Sequence, residues 1–229
     1  MNNMLRKAIS YALAAVMTAG LLSSCGKEDM TAISMRLQRM VGSVSLKDNK
    51  GQEKTLAEQM RLESGNRLST GAESLVMVSL DETKLITMEE KSSADIETSG
   101  KDLEFNVKEG NAFINVTEKL KEGQTFTVRS GNMICGVRGT SLYVGKDAQG
   151  QDVLIVTDGD VEAEAENPVT KERVKKTLSA GSMFTVVINA NTNGTGSISL
   201  KEETVKEEDL PAPVLNAISL SSTLKERIV

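Results

Sequence analysis

A period of two constrains this chain more than any other feature. From Met30 to Leu200, runs of four to seven residues alternate apolar and polar side chains, separated by Gly, Asn, Asp and Ser. Successive side chains of a strand point to opposite faces, so such a run covers a core with one face and meets water with the other. Ile33, Met35 and Leu37 open the pattern. Its parity changes around Met40 to Gly42, so that Val44 and Leu46 continue on the other register, as a bulge at the glycine would produce. Further runs cover 75–80, 84–88, 103–107, 112–116, 125–128, 141–144, 153–156, 161–165 and 183–188, and only 56–62 reads equally well as a helical turn. Gly65, Gly110, Gly159 and Gly181 each stand three residues after an apolar side chain, which reads as one strand-ending turn used repeatedly. The fold expected is all-β, a solenoid-like or sandwich-like stack of short antiparallel strands and hairpins with a short helical or disordered C-terminal tail.

The two ends depart from this grammar. Met1 to Ser24 has the layout of a secretory signal, with Arg6 and Lys7 before an apolar run from Ala8 to Leu22 and no acidic residue. That run of about 15 residues is short for a hydrocarbon core roughly 30 Å thick. Leu22, Ser23, Ser24 and Cys25 resemble a bacterial lipobox, in which the cysteine is acylated and becomes the first residue after cleavage. Acyl chains on Cys25 would hold the protein to a lipid bilayer, outside the cytoplasm, at the cell membrane or outer membrane. The divisions expected are a signal peptide over 1–24, a lipidated tether over 25–32, a β domain over 33–200 and an acidic tail over 201–229. Glu202, Glu203, Glu207, Glu208 and Asp209 give the tail its charge, and Val214, Leu215, Ile218 and Leu224 offer one face of a marginal helix.

Composition narrows the chemistry. The chain has no histidine, so neither a Ser-His-Asp or Cys-His pair nor a His-ligated metal site can be built. It has no Trp and six aromatic rings, little material for sugar platforms or base stacking, and its formal charge of −5 lacks the basic excess that nucleic acid demands. With Cys25 acylated, Cys135 is a lone thiol in an apolar stretch and reads as a small buried hydrophobe. The acidic pairs Asp158/Asp160, Asp147/Asp152, Glu202/Glu203 and Glu207/Glu208 read as solvated turns rather than metal ligands or acid–base pairs. No catalytic residue, metal or cofactor is expected.

From about Leu37 to Val187 the sequence resembles a FecR domain, named for a membrane regulator of ferric citrate uptake. The matching pieces run in order: 41–44, then 62–74, 76–81, 107–110, the stretch 126–144 with Val137, Arg138, Gly139 and Thr140 at its centre, and finally 156–161 and 178–181. The resemblance implies an all-β extracytoplasmic domain that works through protein contacts, in regulators that transmit across a membrane to an anti-sigma segment. Only a short basic end stands before the signal here, so no such cytoplasmic segment is expected. The chain looks like a stand-alone FecR-domain lipoprotein, binding an envelope protein or sensing the envelope. The other reading is a cell-wall or glycan-binding module.

The element at 137–140 has a physical reading of its own. Gly136 and Gly139 bracket Val137 and Arg138 and permit a tight corner, where Thr140 would bond backbone. The five donors of Arg138 suit several turn carbonyls or one carboxylate, which makes the element a staple of the fold or, alternatively, a partner-recognition site.

Overall fold

The alternating runs become strands, and their two faces sort into two sheets. A computed structural model describes residues 35–80, 83–147, 149–190, 196–206, 210–212 and 214–215. In chain order the strands are β1 (Met35–Val41), β2 (Val44–Lys47), β3 (Glu53–Lys54), β4 (Arg61–Leu62), β5 (Asn66–Thr70), β6 (Leu75–Leu80), β7 (Lys84–Met88), β8 (Ser93–Ser99) and β9 (Asp102–Glu109). They continue with β10 (Ala112–Val116), β11 (Thr125–Ser130), β12 (Met133–Val137), β13 (Ser141–Lys146), β14 (Asp152–Asp158), β15 (Asp160–Glu166), β16 (Arg173–Ser179), β17 (Ser182–Ala190) and β18 (Gly196–Thr204).

The first sheet has the order β18-β17-β14-β13-β10-β7-β6-β1-β4 and the second the order β16-β15-β12-β11-β9-β8-β5-β2-β3. From β6 onward the chain lays a hairpin in one sheet, crosses, and lays the next hairpin in the other. β10 breaks this habit because it crosses alone, so β9 and β11 meet in parallel while the other pairs are antiparallel. Neither sheet closes into a barrel, and no helix among the described residues is long and apolar enough to cross a membrane.

Between the sheets, Leu37, Val78, Ile86, Ile114, Leu142 and Leu154 from one side meet Leu68, Ile96, Phe105, Val128, Cys135 and Val161 from the other, all buried. Each large apolar side chain removed from water contributes roughly 1.5–3 kcal/mol. The first sheet also has a covered outer face. Phe113, Tyr143 and Ile155 align across β10, β13 and β14, and Val205, Leu210 and Val214 pack over them. Burial on both faces is why β13 and β14 carry the unbroken apolar runs 142–144 and 153–156.

The all-β expectation holds, and three details differ. The parity change near Gly42 marks the crossing from β1 in the first sheet to β2 in the second; the register shift in β1 lies earlier, between Leu37 and Arg39. The stretch 56–62 forms no helix but a turn, with Met60 N donating to Ala57 O, before the short β4. The β domain also runs past 200, because β18 extends to Thr204 and the segment after it is pinned by buried side chains. At the tail's start, Val214 N and Leu215 N donate to Pro211 O in one helical turn. The signal segment, Cys25, the tether to 32, and Ile218 and Leu224 lie outside the described residues. Gly65, Gly110, Gly159 and Gly181 all have positive φ.

Candidate functional site

The element at 137–140 sits where the chain leaves one sheet for the other. β11 and β12 pair with Phe126 opposite Val137, after which Arg138, Gly139 and Thr140 carry the chain across to β13. Gly139 has a φ of 120°, and a Cβ there would stand 3.0 Å from Lys119 Cα. The bare glycine therefore lets the crossing lie against the backbone of the loop between β10 and β11. Thr140 O accepts a hydrogen bond from Val116 N at 3.1 Å. Its side chain is buried, and Oγ1 has no partner among the described residues; its methyl faces Gly159 instead. Gly136 belongs to β12, paired with Thr127 and Glu162, so the corner turns on Gly139 alone.

Beside this crossing lies a groove of about 570 Å³, lined by Lys119, Leu120, Lys121 and Gln124 of the loop, Thr125, Phe126 and Thr127 of β11, and Gly136, Val137 and Arg138. The loop is held in shape by Gln124, whose Oε1 accepts from Lys121 N and whose N donates to Lys121 O, both at 3.0 Å. Arg138 is 85% exposed and reaches a single group, the Glu162 carboxylate at 3.9 Å. It ties no turn carbonyl among the described residues. Lys119 and Lys121 have no ion partner among the described residues.

Elsewhere on the outer face of the second sheet several cations are compensated. Arg67 holds Asp95 at 2.9 Å, Arg129 holds Glu104 at 2.8 Å, and Arg173 and Lys175 hold Glu164 at 3.0 and 2.7 Å. The hydrogen bond from Arg67 keeps the Asp95 carboxyl below the usual range, and that from Lys175 does the same for Glu164. A second recess, about 410 Å³, is lined by Arg129, Asn132, Lys171 and Arg173, yet Lys171 and Arg173 are both engaged by Glu166. The groove beside Arg138 thus gathers two lysines without an ion partner among the described residues next to Arg138, although other cations of the second sheet, such as Lys47 and Lys54, also lack one.

Within the pairs Asp147/Asp152 and Glu202/Glu203 each acid has its own partner, and Glu207/Glu208 lies outside the described residues. Asp147 Oδ1 accepts from Gln149 N and Gln151 N and shapes a turn, whereas Asp152 is buried, paired with Lys146, and accepts from Asn132 N at 2.9 Å. Asp152 is a fold-holding residue that sequence reasoning missed. Its one signal was a charge at the start of an apolar strand. Asp160 accepts from Ser179 Oγ, Glu202 pairs with Lys176, and Glu203 pairs with Lys201. No metal-holding group of carboxylates and cysteines forms among the described residues. Cys135 is a free, buried thiol, and burial pushes its pKa up to about 12, far from a reactive thiolate.

Residues 66–162 match the model of the family described as FecR protein, so the resemblance read from the sequence holds over that stretch. It runs from β5 into β15 and contains every segment lining the groove. No curated protein matches the chain. Two solved structures from Parabacteroides distasonis ATCC 8503, each described as a candidate anti-sigma factor, are similar to it. One is 23% identical with a TM-score of 0.46, covering 60% of this chain and 60% of that one. The other is 21% identical with a TM-score of 0.47, covering 71% of this chain and 73% of its own. The chain thus spans about 60% of the length of the first of these structures.

Proposed function

We propose, from the FecR match over residues 66–162, that this protein serves signalling or sensing as a non-catalytic, protein-binding module held at a bacterial membrane by acylated Cys25. The observation that carries the reading is the groove beside Arg138, where Lys119 and Lys121 have no ion partner among the described residues and Arg138 has only the exposed Glu162 carboxylate at 3.9 Å. A guanidinium remains protonated at any physiological pH and works as a fixed donor fork rather than as a base. Such a surface binds and orients a partner. A lipid anchor would raise the local concentration of the module near envelope proteins, adding avidity without new contacts.

The glycan-binding reading finds no exposed aromatic platform among the described residues. Phe105, Phe113, Phe126, Phe184 and Tyr143, the aromatic residues among those described, are all buried.

Two measurements test the proposal. Cys25→Ser should move the chain from the detergent phase to the aqueous phase and abolish palmitate labelling; unchanged partition and labelling would remove the anchor. Photo-crosslinkers placed at exposed Ser45, Lys121 and Lys175 should capture one envelope protein reproducibly in intact cells. Failure to capture any at all three positions would remove the protein-binding reading.

A further inference from the structure

We propose that the groove beside Arg138 receives an extended acidic segment of the partner protein, and that Gly136 is the residue that keeps it open. The inference rests on the protein-binding reading above. It begins from a glycine that the fold does not require. Gly136 stands inside β12 between Thr127 of β11 and Glu162 of β15, and its φ is not in the left-handed region. A Cβ there would meet nothing closer than Glu162 O at 3.8 Å, an ordinary contact. Glycine weakens a strand interior, and one without a conformational or steric reason marks a place where another backbone approaches closely. Here the missing side chain leaves space in the groove itself.

Charge selects the occupant. Lys119 and Lys121 carry no ion partner among the described residues, and Arg138 has only the Glu162 carboxylate at 3.9 Å. Half-buried Leu120 adds an apolar contact between the two lysines. An anionic membrane fits less well, because a flat surface laid here would also meet exposed Glu162, Asp102 and Asp160, whereas a narrow strand entering the recess meets the cations. The acidic tail of a second copy is also disfavoured: Glu202 and Glu203 are already paired with Lys176 and Lys201.

The test uses the full chain and a labelled synthetic peptide of Glu and Ser with one central Leu, read by fluorescence anisotropy. Binding should weaken as salt rises. Gly136→Leu should weaken it by at least about tenfold with the melting temperature retained, and Lys121→Glu should do the same, which keeps the test intact should the leucine variant fail to fold. Absence of peptide binding, or unchanged binding in both variants, overturns the proposal. So does retention by phosphatidylglycerol vesicles that Gly136→Leu removes while the peptide stays unbound, or self-association that Gly136→Leu abolishes. If the groove fails while crosslinkers at Ser45 and Lys175 still capture an envelope protein, the protein-binding reading survives without it.

Discussion

Gly139 and Lys119 stand backbone to backbone: a Cβ on Gly139 would lie 3.0 Å from Lys119 Cα, at a φ of 120° that other residues rarely adopt. This approach joins the crossing at 137–140 to the loop that supplies the lysines of the groove. Gly139→Ala has to bear both the dihedral and the contact, so a loss of about 1–3 kcal/mol is expected from urea unfolding. Stability equal to the parent chain would show that the crossing can shift without cost.

Arg138→Ala should behave oppositely. Its guanidinium is mostly in water and its one carboxylate partner is also exposed, a pair of small net value. The melting temperature should move by no more than about 2 °C, while capture of the partner falls. A large drop in melting temperature would make Arg138 a staple of the fold.

Asp152 is placed as a staple of the fold. Its side chain is 3% exposed, accepts from Asn132 N, and balances Lys146, while Gly131 leaves room for the carboxylate beneath the turn. Asp152→Ala leaves a backbone donor without its acceptor and a lysine without its counter-charge, at an expected cost of about 2–3 kcal/mol. Asp152→Asn keeps an acceptor and should lose less. Equal losses in chemical denaturation would mean that charge alone matters.

The strands legible in the sequence were those whose burial alternates along the chain, such as β7, β9 and β11, where period two reports the environment directly. β8 and β16 escaped because polar residues dominate both: Ala94 and Ile96 alone face the core in β8, and β16 is a charged edge with Leu178 as its one buried residue. Period two also cannot say which sheet a strand joins, so the change of parity near Gly42 read as a bulge when it is a crossing. The element at 137–140 was legible as a corner, but the direction of Arg138 was not, since five donors suit carbonyls and solvent alike. The groove was hidden for a different reason. Lys119 and Lys121 lie far from Arg138 along the chain, and only the close approach at Gly139 brings them together.

Cys135 predicts a loss of stability in alkali. Burial raises its pKa from 9.0 to about 12, so between those values the unfolded chain releases the thiol proton and the folded chain keeps it. The folded state then binds more protons, and unfolding becomes easier as pH rises, by up to about 1.4 kcal/mol per pH unit across that window. Stability from this group is complete below pH 9 and declines above it. Cys135→Ala should flatten that decline in guanidinium titrations at increasing pH, although its baseline stability is lower from the small cavity. An unchanged slope would assign the alkaline loss to other groups.

The segment that follows β18 works as a strap. Val205, Leu210 and Val214 are buried on Phe113, Tyr143 and Ile155, although acidic residues fill much of the sequence between them. Tyr143 reports on this cover, because burial in the first place, with the nearby Glu89 charge adding to it, lifts its phenol from 10.0 to about 12. A buried phenolate is disfavoured, so removing the cover should bring the transition back toward 10, visible in phenolate absorbance. Leu210→Ala should lower stability by about 2–3 kcal/mol with a partial shift. Ending the chain after Thr204 should produce the larger shift together with dye binding to the uncovered apolar face. If the shortened chain titrates as the parent does, the sheet itself buries Tyr143, and the acidic segment is free to leave this face without exposing a core.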